Sequence, residues 1–205
     1  MSGKVGAGLD ACAAIQAPFD LLPGQEREIV FVLGVAGRRN ADASSMVQKH
    51  RSAGAAQEAL AAVHAHWEKT LDAVRIETPE PELDVIANGW LMYQTIACRI
   101  WARSGYYQSG GAFGFRDQLQ DAMATIHTQP HLLRDQLLLC GAHQFIEGDV
   151  QHWWHPPSDR GVRTHCSDDY LWLPLGAWRY VASTGDMDVL EESLPYLEGL
   201  SLIHI

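Results

Sequence analysis

Asp168 and Asp169 are adjacent carboxylates near the end of the stretch with the densest chemistry in the chain, EGDVQHWWHPPSDRGVRTHCSDDYLW, from Glu147 to Trp172. It gathers three tryptophans, three histidines, two arginines and five carboxylates around Pro156-Pro157. Its hydrophobic periodicity is weak, which predicts a loop. Adjacent exposed indoles are costly without a partner, so the loop is expected to bind something. Aromatic faces beside charged groups suit a carbohydrate. Sugar faces would stack on Trp153, Trp154 and His155, while Arg163 and the carboxylates would take hydroxyls. In such a dry site two neighbouring carboxylates raise one another's pKa, and one stays protonated near neutral pH, as a general acid requires. The competing account is a helix N-terminus, with Ser167 as cap and the acids in the first turn. Spacing by itself favours the cap.

A second constellation is Gly114-Phe115-Arg116-Asp117-Gln118-Leu119-Gln120-Asp121. Asp117 and Asp121 are four apart and share a helix face, with Arg116 at its mouth. Spacing again favours a structural account, Asp117 as N-cap with Gln120 completing a capping box. The alternative is a polyol clamp, since Gly105, Gly110, Gly111 and Gly114 alternate here with Tyr106, Tyr107, Phe113 and Phe115. The histidines His143, His152, His155 and His165 invite a zinc reading. His152-Trp-Trp-His155 lacks the HExxH arrangement and no cysteine pair joins it, so hydrogen-bonding or stacking roles are expected, and no metal. No G-x-S-x-G elbow is present to support a serine hydrolase.

The elements that must position these groups change character along the chain. Residues 12–33 read as two strands around a turn at Leu22-Pro23-Gly24, the end of a sheet. From about Asp42 the period becomes helical. Ser44 to Ala73 carries Leu60, Val63, His64, Trp67 and Leu71 on one stripe. Thr78-Pro79-Glu80-Pro81 breaks the pattern. Helices are then expected over Glu82–Ala102, Asp117–Thr128, Pro130–Phe145, Asp168–Ser183 (stopped by Gly185) and Asp186–Leu197. Helices separated alternately by short and long loops predict a mainly α fold, part of an α/α barrel, and hence a fragment.

Formal net charge is −10 with no Lys/Arg run, which argues against nucleic acid or an anionic membrane surface as partner. No apolar stretch reaches membrane-spanning length and no signal peptide is evident. Cys12, Cys98, Cys140 and Cys166 form no CxxC, which fits free thiols in a reducing, cytoplasmic setting.

The runs YQSGGAFGFRDQLQD (107–121), QFIEGDVQHWWHPPSDRGVRTHCSDDYLWLP (144–174) and YVASTGD (180–186) closely resemble glycoside hydrolase family 94. That family holds inverting cellobiose, chitobiose and β-1,2-oligoglucan phosphorylases and the C-terminal domain of cyclic β-1,2-glucan synthases. WLMYQTIACRIWARSGYYQSGGAFGFRDQLQD is most like the synthase branch. The resemblance implies the end of a β-sandwich over 1–36, a helical linker over 37–78, the first half of an (α/α)6 barrel over 79–198 and a non-native tail over 199–205. It places Asp168 on the family's general acid, and Arg116 and Asp117 on positions that hold the donor sugar. Asp121, Trp153, Trp154, His155, Arg163 and Asp169 complete the expected substrate contacts. Disaccharide phosphorylases tend to carry Trp where this chain has Cys166, which points away from cellobiose and chitobiose; they also tend to carry Arg where it has Ser109-Gly110-Gly111, which leaves one of the family's phosphate contacts unmatched. The implied reaction is phosphorolysis of a β-glucan with inversion, giving α-glucose 1-phosphate. Inorganic phosphate is the co-substrate, no cofactor is needed, and the whole protein is expected to be a homodimer, tethered to the inner membrane if other domains carry an anchor. The alternatives are an inverting glucan hydrolase and a non-catalytic glucan-binding module.

Overall fold

The computed structural model describes residues 6–8, 14–35, 40–102, 111–156 and 158–199. Cys12, most of the glycine-rich loop with Tyr106, Tyr107 and Ser109, and the tail from residue 200 lie outside them. The chain divides into two compact units, residues 1–62 and 63–205, and among described residues it is mainly helical with one small sheet.

In the first unit, Gln25 N–H donates to the Leu22 carbonyl at 3.0 Å, and Gly24 takes φ 77°. This is the turn expected from Leu-Pro-Gly, since the third turn position needs positive φ. The flanking residues, read above as two strands, form no ladder among the described residues. Extended backbone becomes a strand only where a neighbour takes its N–H and C=O groups. The helix expected from Ser44 to Ala73 is two helices, α1 (Asn40–His50) and α2 (Ala53–Leu71). Ser52 separates them and caps the second, its Oγ accepting from Ala55 N–H at 3.2 Å.

The second unit opens with a continuous helical rod over 81–101. α3 (Pro81–Val85) and α4 (Leu91–Gln94) alternate in it with π turns at Ile86–Trp90 and Thr95–Trp101. Pro81 at its first turn costs no hydrogen bond. Asp84 holds the preceding bend by accepting from Thr78 N–H and Oγ1–H. Trp67 packs on Tyr93 and Trp101, with centroids 4.8 and 5.5 Å away.

α5 (Phe115–Met123), α6 (Pro130–Gly141) and α7 (Asp169–Thr184) pack around Phe115, Leu119, Leu133, Leu137, Cys140 and Tyr180. Gly176 permits the close approach, because a Cβ there would meet Leu137 at 3.2 Å and Leu119 at 3.6 Å. Gly185 ends α7 at φ 74°, donating to the Val181 carbonyl at 2.8 Å. The helix expected over Asp186–Leu197 shrinks to one 3-10 turn, Asp188–Glu191. Arg134 and Tyr180 instead bind that segment through Asp186 and Glu192, and Pro195 disfavours helix through the end of the segment.

The stretch around Pro156-Pro157 is not simply a loop. It is a hairpin of β2 (Val150–His155) and β3 (Arg160–Thr164), with β1 (Phe113–Gly114) on the other edge of β2. Both pairings are antiparallel. Alternation in β2 sends Trp154 into the core, 1% exposed, and Trp153 to the opposite face. Gly161 faces the β2 backbone so closely that a Cβ would collide with the Trp153 carbonyl and lie 2.8 Å from Trp154 Cα. Gly161→Ala should therefore destabilise the protein by roughly 1–3 kcal/mol or more, read as a lower urea midpoint. An unchanged midpoint would show that the hairpin can shift to admit a methyl group.

Candidate active site

α5, the hairpin and α7 converge at the N-terminus of α7. Gly114 precedes α5, and its N–H donates to Gln118 Oε1 at 2.7 Å. The capping expected from Asp117 and Gln120 thus falls one turn earlier, on Gly114 and Gln118. Asp117 instead lies against Gly114, where a Cβ would come within 2.6 Å of its Oδ2, so any larger residue there would push the Asp117 carboxylate aside. Asp121 pairs with Arg99 Nε at 2.9 Å, which ties α5 to the rod over 81–101.

Arg116, in the first turn of α5, reaches across 52 positions of sequence. Its Nη1 donates to Asp168 Oδ2 at 2.7 Å, and its guanidinium lies 5.4 Å from the Trp172 ring centre. The other Asp168 oxygen accepts from Cys166 Sγ at 3.0 Å. Both side chains of the ion pair remain open, Arg116 at 48% and Asp168 at 40% exposure. Asp168, and not the expected Ser167, occupies the cap position of α7, and its side chain makes no cap hydrogen bond; Asp169 lies in the first turn as expected.

The two carboxylates differ as the doublet alone could not show. Burial pushes Asp169 above the ordinary carboxylate range, against an opposing hydrogen bond from His152. Asp168 is pulled below it by the Cys166 thiol first, then by the Trp172 indole N–H and the Arg116 charge. The raised group of the pair is therefore the buried one, not the accessible one. Asp169 is fully buried, its Oδ2 lies 2.7 Å from His152 Nδ1, and its Oδ1 has no hydrogen-bond partner among the described residues.

A β-bulge between Gln151 and Trp153 makes His152 the extra residue of β2. Bulges re-aim side chains, and this one coincides with the His152–Asp169 contact. His152, Cys166 and Asp169 offer donor atoms within 4.8 Å of one another. His152 is engaged with Asp169, and the Cys166 hydrogen is given to Asp168. Sequence reasoning missed the roles of His152, Cys166 and Trp172 around the doublet: the His152 contact depends on a bulge, while Cys166 and Trp172 lie two and four positions from Asp168, a local spacing that could have pointed to them.

Three expected sugar contacts are corrected, the first being Asp169, fully buried against His152. Trp154 is core, stacked on His143 at 4.0 Å between centroids and 22° between planes. Arg163 is a structural clamp, 7% exposed. Its Nε and Nη2 donate to Asp149 at 2.5 and 2.6 Å, Nη2 to Glu147 at 2.9 Å and Nη1 to the Gly199 carbonyl at 2.7 Å. Its plane covers Phe145 at 4.0 Å. A guanidinium so fully used has no fork left for hydroxyls. Trp153 and His155 stay partly exposed and meet edge to face at 5.3 Å.

Residues 66–202 match the catalytic-domain profile of the glycosyl hydrolase 94 superfamily, and residues 1–53 match its supersandwich domain. The chain belongs to the glycosyl hydrolase 94 superfamily. It is 44% identical over 98% of its length to the cyclic beta-(1,2)-glucan synthase of Rhizobium meliloti (strain 1021), covering 7% of that protein. It is 28% identical to the N,N'-diacetylchitobiose phosphorylase of Vibrio proteolyticus over 92% of its length, covering 27% of it. The solabiose phosphorylase of Paenibacillus borealis is also 28% identical over 96% of the chain, with 24% of that enzyme covered. The chain thus spans a minor part of each of these relatives. No described helix is long and apolar enough to cross a membrane.

Proposed function

We propose that this chain carries the acid half of an inverting glycoside phosphorylase site acting on a β-1,2-linked glucan. The observation that carries the reading is Asp168, open at the start of α7 and joined at 2.7 Å to Arg116 of the other family motif. Asp168 gives its proton to the glycosidic oxygen as the bond to the anomeric carbon breaks. Phosphate attacks that carbon from the opposite face, and the products are α-glucose 1-phosphate and a glucan shortened by one unit. Phosphate arrives as an anion, so the reaction needs no second carboxylate, whereas an inverting hydrolase needs one to activate water. Asp169 is ill-suited to that second role, being fully buried and bound to His152.

Arg116 and Asp117 hold the donor sugar in this reading, with Trp153 and His155 as its aromatic wall. Cys166, standing where disaccharide phosphorylases tend to carry Trp, and the higher identity to a glucan synthase support a longer β-1,2-glucan over a disaccharide. α5, α6 and α7 are then part of an (α/α)6 barrel, and the domain works in the cytoplasm, where Cys98, Cys140 and Cys166 remain free.

The test is product analysis with the intact protein and β-1,2-glucan. Release of α-glucose 1-phosphate that requires phosphate is expected. Free glucose formed without phosphate would establish a hydrolase instead, and binding without turnover a non-catalytic module.

A further inference from the structure

The groups around Asp168 pose a problem for an acid. One oxygen is held by Arg116 Nη1 at 2.7 Å and the other by the Cys166 thiol at 3.0 Å, and both contacts favour the ionised carboxylate. Position at the N-terminus of a 16-residue helix favours it again. The charged and titratable groups facing Asp168 come from each packed element: Arg116 from α5, His152 from β2 through Asp169, Cys166 ahead of α7, and Asp169 within it. Among the described residues around Asp168, Arg116 is the one fixed cation. A proton donor must also carry its proton on an oxygen turned toward the glycosidic bond, and the Arg116 cation on Oδ2 stands against protonation.

We propose that Arg116 is a substrate-operated gate on the acid: it holds Asp168 ionised in the empty site, and the donor sugar, by taking the guanidinium, frees Asp168 to carry the proton. This deepens the phosphorylase reading and rests on it. Arg116 is a positioning residue here, acting on the reaction through Asp168. The pair is well placed to switch, since both side chains are open to water and exposed ion pairs are weakly held. Guanidinium donors suit hydroxyls as well as a carboxylate, and Trp172 beside Arg116 gives the group a surface to lie on when it moves. The gate keeps the empty site from presenting a protonated acid to water, and couples the proton to occupancy of the donor subsite.

The pH dependence of turnover by the intact protein tests this. The acid is active while protonated, so rate falls as pH rises through its pKa. The profile of kcat/KM reports the free site and that of kcat the occupied one. The alkaline limb of kcat is expected to lie at higher pH than that of kcat/KM. In Arg116→Met, kcat/KM should fall, and its alkaline limb should move up toward that of kcat; Arg116→Lys, which keeps the charge, should leave the limb near its wild-type place. If Arg116 merely binds sugar, Arg116→Met lowers kcat/KM by the same factor at every pH, and the gate is overturned. Should Arg116→Met lose all measurable turnover, calorimetry of wild-type protein with β-1,2-glucan in buffers of different ionisation enthalpy decides. Proton uptake on binding, absent in Asp168→Asn, supports the gate, and binding without uptake overturns it. Full activity of Asp168→Asn would instead show that the phosphorylase reading itself had failed.

Discussion

If Asp168 is the proton donor of the proposed phosphorolysis, Asp168→Asn should lower kcat/KM on the glucan by roughly a hundred- to ten-thousand-fold, the usual worth of a positioned general acid. The amide keeps the size of the carboxyl group and an oxygen able to accept from Arg116. It cannot give a proton to the departing sugar oxygen. The side chain is 40% exposed, so melting temperature should hold while rate collapses. A leaving group that needs no proton separates chemistry from binding. An aryl β-glucoside with an acidic phenol should lose far less rate in the variant than the glucan does. Equal losses on both substrates would mean that Asp168 serves binding and not proton transfer. Wild-type rate on the glucan would remove it from the mechanism.

The largest expected effect on stability lies a few residues away and touches no substrate. Trp154→Ala should destabilise the protein by about 3–5 kcal/mol, because it empties a large core volume that nearby side chains cannot refill. Trp154 is 1% exposed, stacked on the buried His143 ring and edge-on to Phe113 at 6.3 Å. It joins β2 to α6, whose Leu139 carbonyl lies 2.7 Å from His143 Nδ1. Trp154→Phe keeps a ring against the imidazole and should recover most of the loss. Urea unfolding of both variants measures this. A cost below about 1 kcal/mol for the alanine would mean that Trp154 is not the core residue its burial implies.

These two substitutions mark what sequence reading proposes and where it stops. Asp168 is proposed as the acid because the family motifs around it are long and contiguous. Trp154 was misplaced beside it, as part of a sugar-facing wall, because adjacent tryptophans look alike until a strand puts them on opposite faces. The hairpin itself was hidden by the low periodicity of residues 150–164. What makes that stretch a pair of strands is the register between β2 and β3, including a bulge at His152 and a glycine at 161. Arg163 read as a hydroxyl-binding group for a similar reason. Nothing nearby in sequence shows that Asp149, Glu147 and the Gly199 carbonyl consume its donors together.

By itself the sequence determined the elements whose causes are local: the Leu22–Gln25 turn, helices with apolar residues at helical spacing, the stop at Gly185 and the family of the chain. Only the tertiary structure decided which carboxylate of Asp168-Asp169 is raised and which is lowered. Those shifts come from burial around Asp169 and from a thiol, an indole and a guanidinium around Asp168. The guanidinium sits 52 positions away in sequence and 2.7 Å away in space. Cys166 and Trp172 lie within four positions of Asp168, but burial and the Arg116 charge depend on distance through the folded protein, which spacing along the chain does not encode.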